Sequence, residues 1–184
     1  PLGVGCVMAH ANSELKGLIS SELFKFPEDL NEALLKQTPD ILCMSNFCWN
    51  INLSYTFVKY VKKINPNVIT VFGGPNFPID GGERENFLRD YPCLDFHIKW
   101  DGEIAFVNLF RKLEELNFDI NLFKRNKTIT ENCCYIHKEE YVEGPDHRAP
   151  DLAALPSPYL TGLFDKFFPL NLQPWIETTR GCPY

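Results

Sequence analysis

Three short apolar runs, "DILCMS" (40–45), "NVITVFGG" (67–74) and "LDFHIKW" (94–100), constrain this chain more than any other feature. Strands covered on both faces read as near-continuous apolar stretches, whereas half-exposed strands alternate. Each run is followed by a loop and then by a segment with apolar residues at helical spacing: Leu53 to Ile64, "ERENFLRDY" and "EIAFVNLFRKLEEL". The alternation predicts an α/β fold built on a doubly wound parallel sheet.

Upstream, Val4, Val7, Met8, Ala11 and Leu15 predict a helix over 4–16 that ends near Gly17. "LISSELFKF" alternates loosely and reads as a strand. "PEDLNEALLKQ" opens on Pro27, carries acids in its first turn and places Leu30, Leu34 and Leu35 on one face, which predicts a second helix. A doubly wound sheet has its central strand early, yet this sequence opens on a helix, so the first strand is expected to be missing upstream. Residues 1–127 form the sheet domain in this reading, and 128–143 ("TITENCCYIHKEEYVE") a small β hairpin. Residues 144–184, rich in proline and polar residues from "GPDHRAPDLAALPSPYLTG" onward, form an interdomain linker that stops where the next domain begins.

The formal charge of -6 is spread among lysines, which favours solubility and argues against a cationic nucleic-acid groove. Lys59, Lys62 and Lys63 read as a solvated helix face. No run approaches the roughly 18 apolar residues of a membrane span, and "PLGVGCVMAH" lacks the basic flank of a signal peptide, so the expectation is a cytoplasmic protein without a membrane partner. Cys6, Cys43, Cys48, Cys93, Cys133, Cys134 and Cys182 are odd in number and form no paired framework. All but Cys182 read as buried free thiols.

Open parallel sheets bind ligands beyond the carboxyl ends of their strands. Three loops take that position: "SNFCWN", with Ser45, Asn46 and Trp49; "GGPNFPIDGG", with Gly73, Gly74, Pro75 and Asn76; and "WDGE", with Gly102 and Glu103. Gly73 and Gly74 are expected to admit a ligand close to the backbone, and Ser45, Asn46 and Asn76 to hydrogen-bond it. "GVGC" lacks the third glycine of a dinucleotide fingerprint and "GGPNFP" lacks the lysine of a P-loop. "DFHIKW" resembles the D-x-H-x-x-G signature by which cobalamin-dependent mutases and methionine synthase supply a histidine to cobalt. Here Trp100 replaces the glycine and the stretch falls inside a strand, so His97 reads as a strand histidine facing its neighbours. His10, His137 and His147 have no ligand-like spacing.

"PLGVG", "PDILCMSNFCWN", "VFGGPNFP", "DFHIKWDGEIAF", "LPSPYLTG" and "IETTRGCPY" together resemble, in that order, the N-terminal cobalamin-binding domain of cobalamin-dependent radical S-adenosylmethionine enzymes. The resemblance spans nearly the whole chain and implies a Rossmann-like, flavodoxin-like domain. In that family R-G-C-P-Y opens a C-x-x-x-C-x-x-C motif that holds a four-iron four-sulfur cluster, whose open iron binds S-adenosylmethionine. Cys182 matches its first ligand, which implies a radical barrel domain C-terminal in the same polypeptide. Trp100-Asp101-Gly102-Glu103 departs from the usual G-E-G-E, whereas the lack of a cobalt-ligating histidine agrees with the family.

The resemblance implies a cobalamin-binding domain whose loops hold the cofactor through Ser45, Asn46, Trp49, Gly73, Gly74, Pro75, Asn76, Gly102 and Glu103. The intact enzyme would then methylate a small-molecule or peptide substrate. Trp100 motivates an alternative: a flavodoxin-like interaction module that has lost cofactor binding.

Overall fold

The computed structural model describes residues 2–149, 151–170 and 172–177; "RGCPY", with Cys182, lies outside them. Strands β1 (Ile41–Ser45), β2 (Ile69–Gly73) and β3 (Phe96–Ile98) pair in parallel, with Ser45 opposite Gly73 and Gly73 opposite Ile98. The expected hairpin is formed by β4 (Cys133–His137) and β5 (Glu140–Glu143). It pairs antiparallel with β3, giving a mixed sheet in the order β1-β2-β3-β4-β5. Helices α1 (Leu2–Glu14), α2 (Pro27–Lys36), α3 (Ile51–Ile64), α4 (Gly81–Asp90), α5 (Gly102–Glu115) and α6 (Ile120–Arg125) cover both faces.

Side chains alternate across each strand, so the sheet feeds two cores. Leu42, Phe72 and Cys134 point to one, where they meet Leu30 and Leu34 of α2, Phe57, Val58 and Val61 of α3, and Leu88 of α4. Ile69, Val71, Phe96, Ile98, Cys133 and Tyr135 point to the other, against Ala105, Leu109 and Leu113 of α5 and Phe123 of α6. There Ala11 of α1 and Leu15, just past its end, pack on Val107 and Phe110 of α5. Fully burying a side chain such as Val58 or Val61 contributes about 1.5–3 kcal/mol. α2 carries Pro27 in its first turn, Glu28 and Asp29 beside its positive end and Lys36 at its negative end. Asp80 caps α4 by accepting the Gly82 and Glu83 N–H groups at 2.9 and 3.2 Å.

Three local expectations change, and one helix is added. "LISSELFKF" forms no strand; Leu23 is buried and Phe24 packs on the α2–α3 core, but the backbone from 19 to 25 has no ladder partner among the described residues. Leu35 is exposed, because at 3.6 residues per turn only Leu30 and Leu34 lie squarely on the buried stripe. Cys48 is exposed in the loop after β1 rather than buried. The short helix α6, capped by Asp119, had no sequence expectation.

The stretch after β5 is tied down at two places. Asn132 Nδ2–H donates to the carbonyls of Asp101 and His147 at 3.1 and 2.7 Å, and its Oδ1 accepts the His147 N–H at 2.7 Å. Farther on, Phe164 is buried against α1 at Gly5, where a Cβ would stand 2.4 Å from its ring.

Candidate functional site

β1, β2 and β3 all end at one edge, and the three candidate loops leave from it. Asn46, fully buried, directly follows β1 and joins all three strands. Its N–H donates to Gly73 O at 2.7 Å and its carbonyl accepts the Asn76 N–H at 3.2 Å. Its side-chain amide donates to Asn76 O at 2.7 Å and to His97 Nε2 at 3.2 Å, while its Oδ1 accepts from Asn76 Nδ2 at 3.1 Å. Two loops are thereby locked together through two asparagines, with β3 as their anchor.

Ser45 is engaged within its own loop: its Oγ accepts from Asn50 Nδ2 at 2.8 Å and its carbonyl accepts from Ser54 Oγ at 3.0 Å. Trp49 is 77% exposed and stacks on Phe47 with centroids 4.6 Å apart. At Gly73 a Cβ would fit without a clash, in ordinary contact with Ile98 O at 3.7 Å. At Gly74 it would not. The Gly74 φ is +136°, and a Cβ would meet Asn46 O at 2.5 Å. The expected reason for this glycine therefore changes: the Asn46 peptide occupies the space assigned to a ligand.

His97 is fully buried, with Phe77 of the second loop stacked on its ring at 3.7 Å and Phe87 edge-on at 5.9 Å. Burial, with help from the Arg84 charge and against a weaker contribution from the Ile98 backbone, pushes its pKa down to about 3. The imidazole is neutral and accepts from Asn46, so it serves the loops and presents no face at the surface.

The third loop is held by charge. Lys99 is buried and ion-paired with Glu143 and Asp146. Burial disfavours its charge, but the two carboxylates outweigh that and hold the ammonium above its ordinary range. Arg84, also buried, pairs with Glu143 at 2.5 Å and donates to Pro78 O at 2.8 Å. Trp100 adopts a φ of +57°, and the Arg84 and Arg148 guanidinium groups lie 5.8 and 4.4 Å from its ring centroid. Arg84 also lies 5.9 Å from the Phe77 ring, which couples the second and third loops. Asp101 accepts the Ala149 N–H at 2.9 Å. Gly102 opens α5 against Val7 of α1, its Cβ position 3.0 Å from a Val7 methyl, and Glu103 is buried behind it.

The structure thus joins Asn46 of the first loop to Gly73, Gly74 and Asn76, with Pro75 between them in the second loop, keeps Ser45 and Trp49 on the first loop, and places Gly102 and the buried Glu103 in the first turn of α5, directly after the third loop. Arg84, Asn132 and the 144–149 strap carry no sequence signal, because each acts through partners far along the chain. A concavity of about 460 Å³ lined by Arg125, Lys127, His137, Lys138, Glu139 and Glu140 shares no residue with these loops. Among the described residues no group of His, Cys, Asp or Glu is arranged to hold a metal ion, and no helix is long and apolar enough to cross a membrane.

No family model matches the chain. It is 34% identical over 158 residues to the cobalamin-dependent radical SAM methyltransferase TokK of Streptomyces tokunonensis, covering 79% of this chain and 21% of that protein. The chain is a homologue of the cobalamin-dependent radical SAM methyltransferases. A 2-(S-pantetheinyl)-carbapenam-3-carboxylate methyltransferase of Streptantibioticus cattleyicolor is 32% identical over 153 residues, with the same shares covered. An uncharacterized methyltransferase of Pyrococcus horikoshii, PH0819, is 26% identical over 198 aligned positions, covering 100% of this chain and 39% of that protein. The chain therefore spans about a fifth of the length of the first two relatives.

Proposed function

We propose that this chain is the cobalamin-binding unit of a larger radical S-adenosylmethionine methyltransferase. The observation that carries the reading is the carboxyl edge of the sheet, where each of three loops presents a large apolar side chain to solvent: Trp49 at 77% exposure, Ile79 at 80% and Trp100 at 40%. Exposed apolar side chains on neighbouring loops mark a surface that takes a large, partly apolar ligand. The homology supplies the class of ligand and does not favour an interaction module without cofactor.

The residues fit cobalamin without a protein ligand to the metal. His97 is enclosed by aromatic rings and committed to Asn46, so no imidazole is offered to a metal from β3. When bound, cobalamin supplies a cobalt centre able to carry a methyl group. This chain's residues position it: the paired asparagines fix the first two loops, and the arginines around Trp100 fix the third. Residues 1–127 make the binding unit, 128–143 brace it, and 144–184 lead to the barrel domain. That domain would bind S-adenosylmethionine at a four-iron four-sulfur cluster with Cys182 as one ligand and act on a small-molecule or peptide substrate in the cytoplasm.

Anaerobic reconstitution of the intact protein with cobalamin, followed by electron paramagnetic resonance of the cob(II)alamin form, tests the reading. One cobalamin per chain is expected, with no nitrogen splitting from a protein histidine. Trp49→Ala should weaken binding at least tenfold, about 1.4 kcal/mol. An intact, folded protein that binds no cobalamin refutes the proposal, and nitrogen splitting abolished in His97→Gln refutes the assignment of His97.

A further inference from the structure

At the amino edge of the sheet, opposite the candidate loops, two amines reach for one carboxylate. Asp95 immediately precedes β3, Lys62 comes from the last turn of α3 on one face, and Lys124 comes from α6 on the other. The three side chains are only 13–17% exposed. Lys62 Nζ lies 2.5 Å from Asp95 Oδ2, which also accepts the Thr70 N–H at 2.9 Å, whereas Lys124 Nζ lies 3.6 Å from Oδ1. The carboxylate is committed to Lys62, and Lys124 keeps the weaker contact.

Among the described residues no other carboxylate pairs with Lys124. Its remaining neighbours are the Phe96 ring, whose centroid lies 5.4 Å from Nζ, and the Cys133 thiol, which burial holds protonated. Two ammonium groups on one carboxylate would leave a surplus charge where little water reaches it, and a buried group in that position tends to neutralise. Burial foremost, with the Lys62 charge adding to it and Asp95 opposing, lowers the Lys124 pKa. A lysine desolvated beside a second cation is an activated amine nucleophile.

We infer that Lys124 is a site of direct acylation, its amine taking an acyl group from an acyl phosphate. Nζ attacks the carbonyl carbon, the amide C–N bond forms, and the bond from that carbon to the bridging phosphate oxygen breaks. Phosphate leaves with the bonding electron pair and takes up the proton that the amine gives off, so the products are an amide and hydrogen phosphate. The Lys62 ammonium has three donors, of which Asp95 and Pro66 O, at 3.4 Å, use two. Its third can meet the oxygens of the phosphate group. The amide is neutral, so acylation removes the surplus charge and leaves the Lys62–Asp95 pair in place. Because this cluster lies at the other end of β3 from the cofactor loops, the reaction is independent of cobalamin binding.

The intact polypeptide is incubated with acetyl phosphate from about pH 6 to 10, and acetylation of each lysine is followed by mass spectrometry of the digest. Lys59 and Lys63, exposed on α3, are internal controls. At about pH 7.5 Lys124 should react at least threefold faster than either, and its rate should level off at a lower pH than theirs, since an ordinary lysine titrates near about 10.4. In denaturing urea the three should react alike, which separates the effect of the fold from that of neighbouring residues in sequence. Lys62→Met returns Asp95 to Lys124 and should slow its acetylation at least threefold, with Lys59 unchanged; should this variant not fold, the pH profile and the urea comparison of the parent decide. Lys124 reacting no faster than the controls, following the same pH profile, or keeping its rate in a folded Lys62→Met overturns the proposal.

Discussion

Replacing Gly74 by alanine separates a glycine kept for the fold from one kept for a ligand. At Gly74 the φ of +136° is one that L residues rarely adopt, and holding alanine there costs about 1–3 kcal/mol. The new Cβ would stand 2.5 Å from Asn46 O and 3.0 Å from Asn46 N. The Asn46 peptide must retreat, and the 3.2 Å bond from Asn76 N–H to Asn46 O is lost with it, at a further cost of about 1 kcal/mol. The sum is about 2–4 kcal/mol. At a urea slope of about 2 kcal/mol per M, the unfolding midpoint should fall by about 1–2 M. Gly73 is the internal control. A Cβ there meets nothing closer than Ile98 O at 3.7 Å, and its φ is not positive. Gly73→Ala should therefore stabilise by about 0.4–1 kcal/mol through the unfolded chain. Urea titrations of both variants without cofactor give the answer, and equal midpoints for the two would refute the account of Gly74.

His97 makes stability sensitive to acid. Its folded pKa of about 3 lies below the ordinary 6.5, so the unfolded chain binds the proton first; stability is full above pH 6.5 and lost as pH falls towards 3. Each pH unit in that window costs about 1.4 kcal/mol, so the stability difference between pH 7 and pH 5 should shrink by about 2 kcal/mol in His97→Gln, and an unchanged difference would contradict the neutral, buried imidazole. Asn132→Ala should release the strap: three hydrogen bonds from its side chain to Asp101 and His147 disappear, and amide exchange across 144–149 should rise at least tenfold while β1 and β2 keep theirs. Unaltered exchange there would show that the ion pairs of Lys99 hold the strap alone.

How much was legible depends on the range of the interactions. The helices from Leu53 and from Glu103 onward, the strands at 41–45, 69–73 and 96–98, and the hairpin follow from local pattern, because periodicity and β-branching act within a few residues. The loops at the carboxyl edge were legible too, since parallel βα order places them there whatever their composition. "LISSELFKF" alternates as a strand should, yet it forms none, because a strand is completed by a partner and not by its own residues. Gly74 was readable as a glycine that makes room, but only tertiary structure decided that the room is taken by the Asn46 peptide, reached across two adjoining strands. His97, Arg84 and Asn132 acquire their roles from groups 51, 59 and 15 residues away in sequence. Sequence alone determined the layers of this protein and the edge where its loops gather. Tertiary structure decided which polar groups are consumed in holding those loops, because hydrogen bonds and ion pairs form between groups that folding, and not proximity along the chain, brings within 3 Å or so of each other.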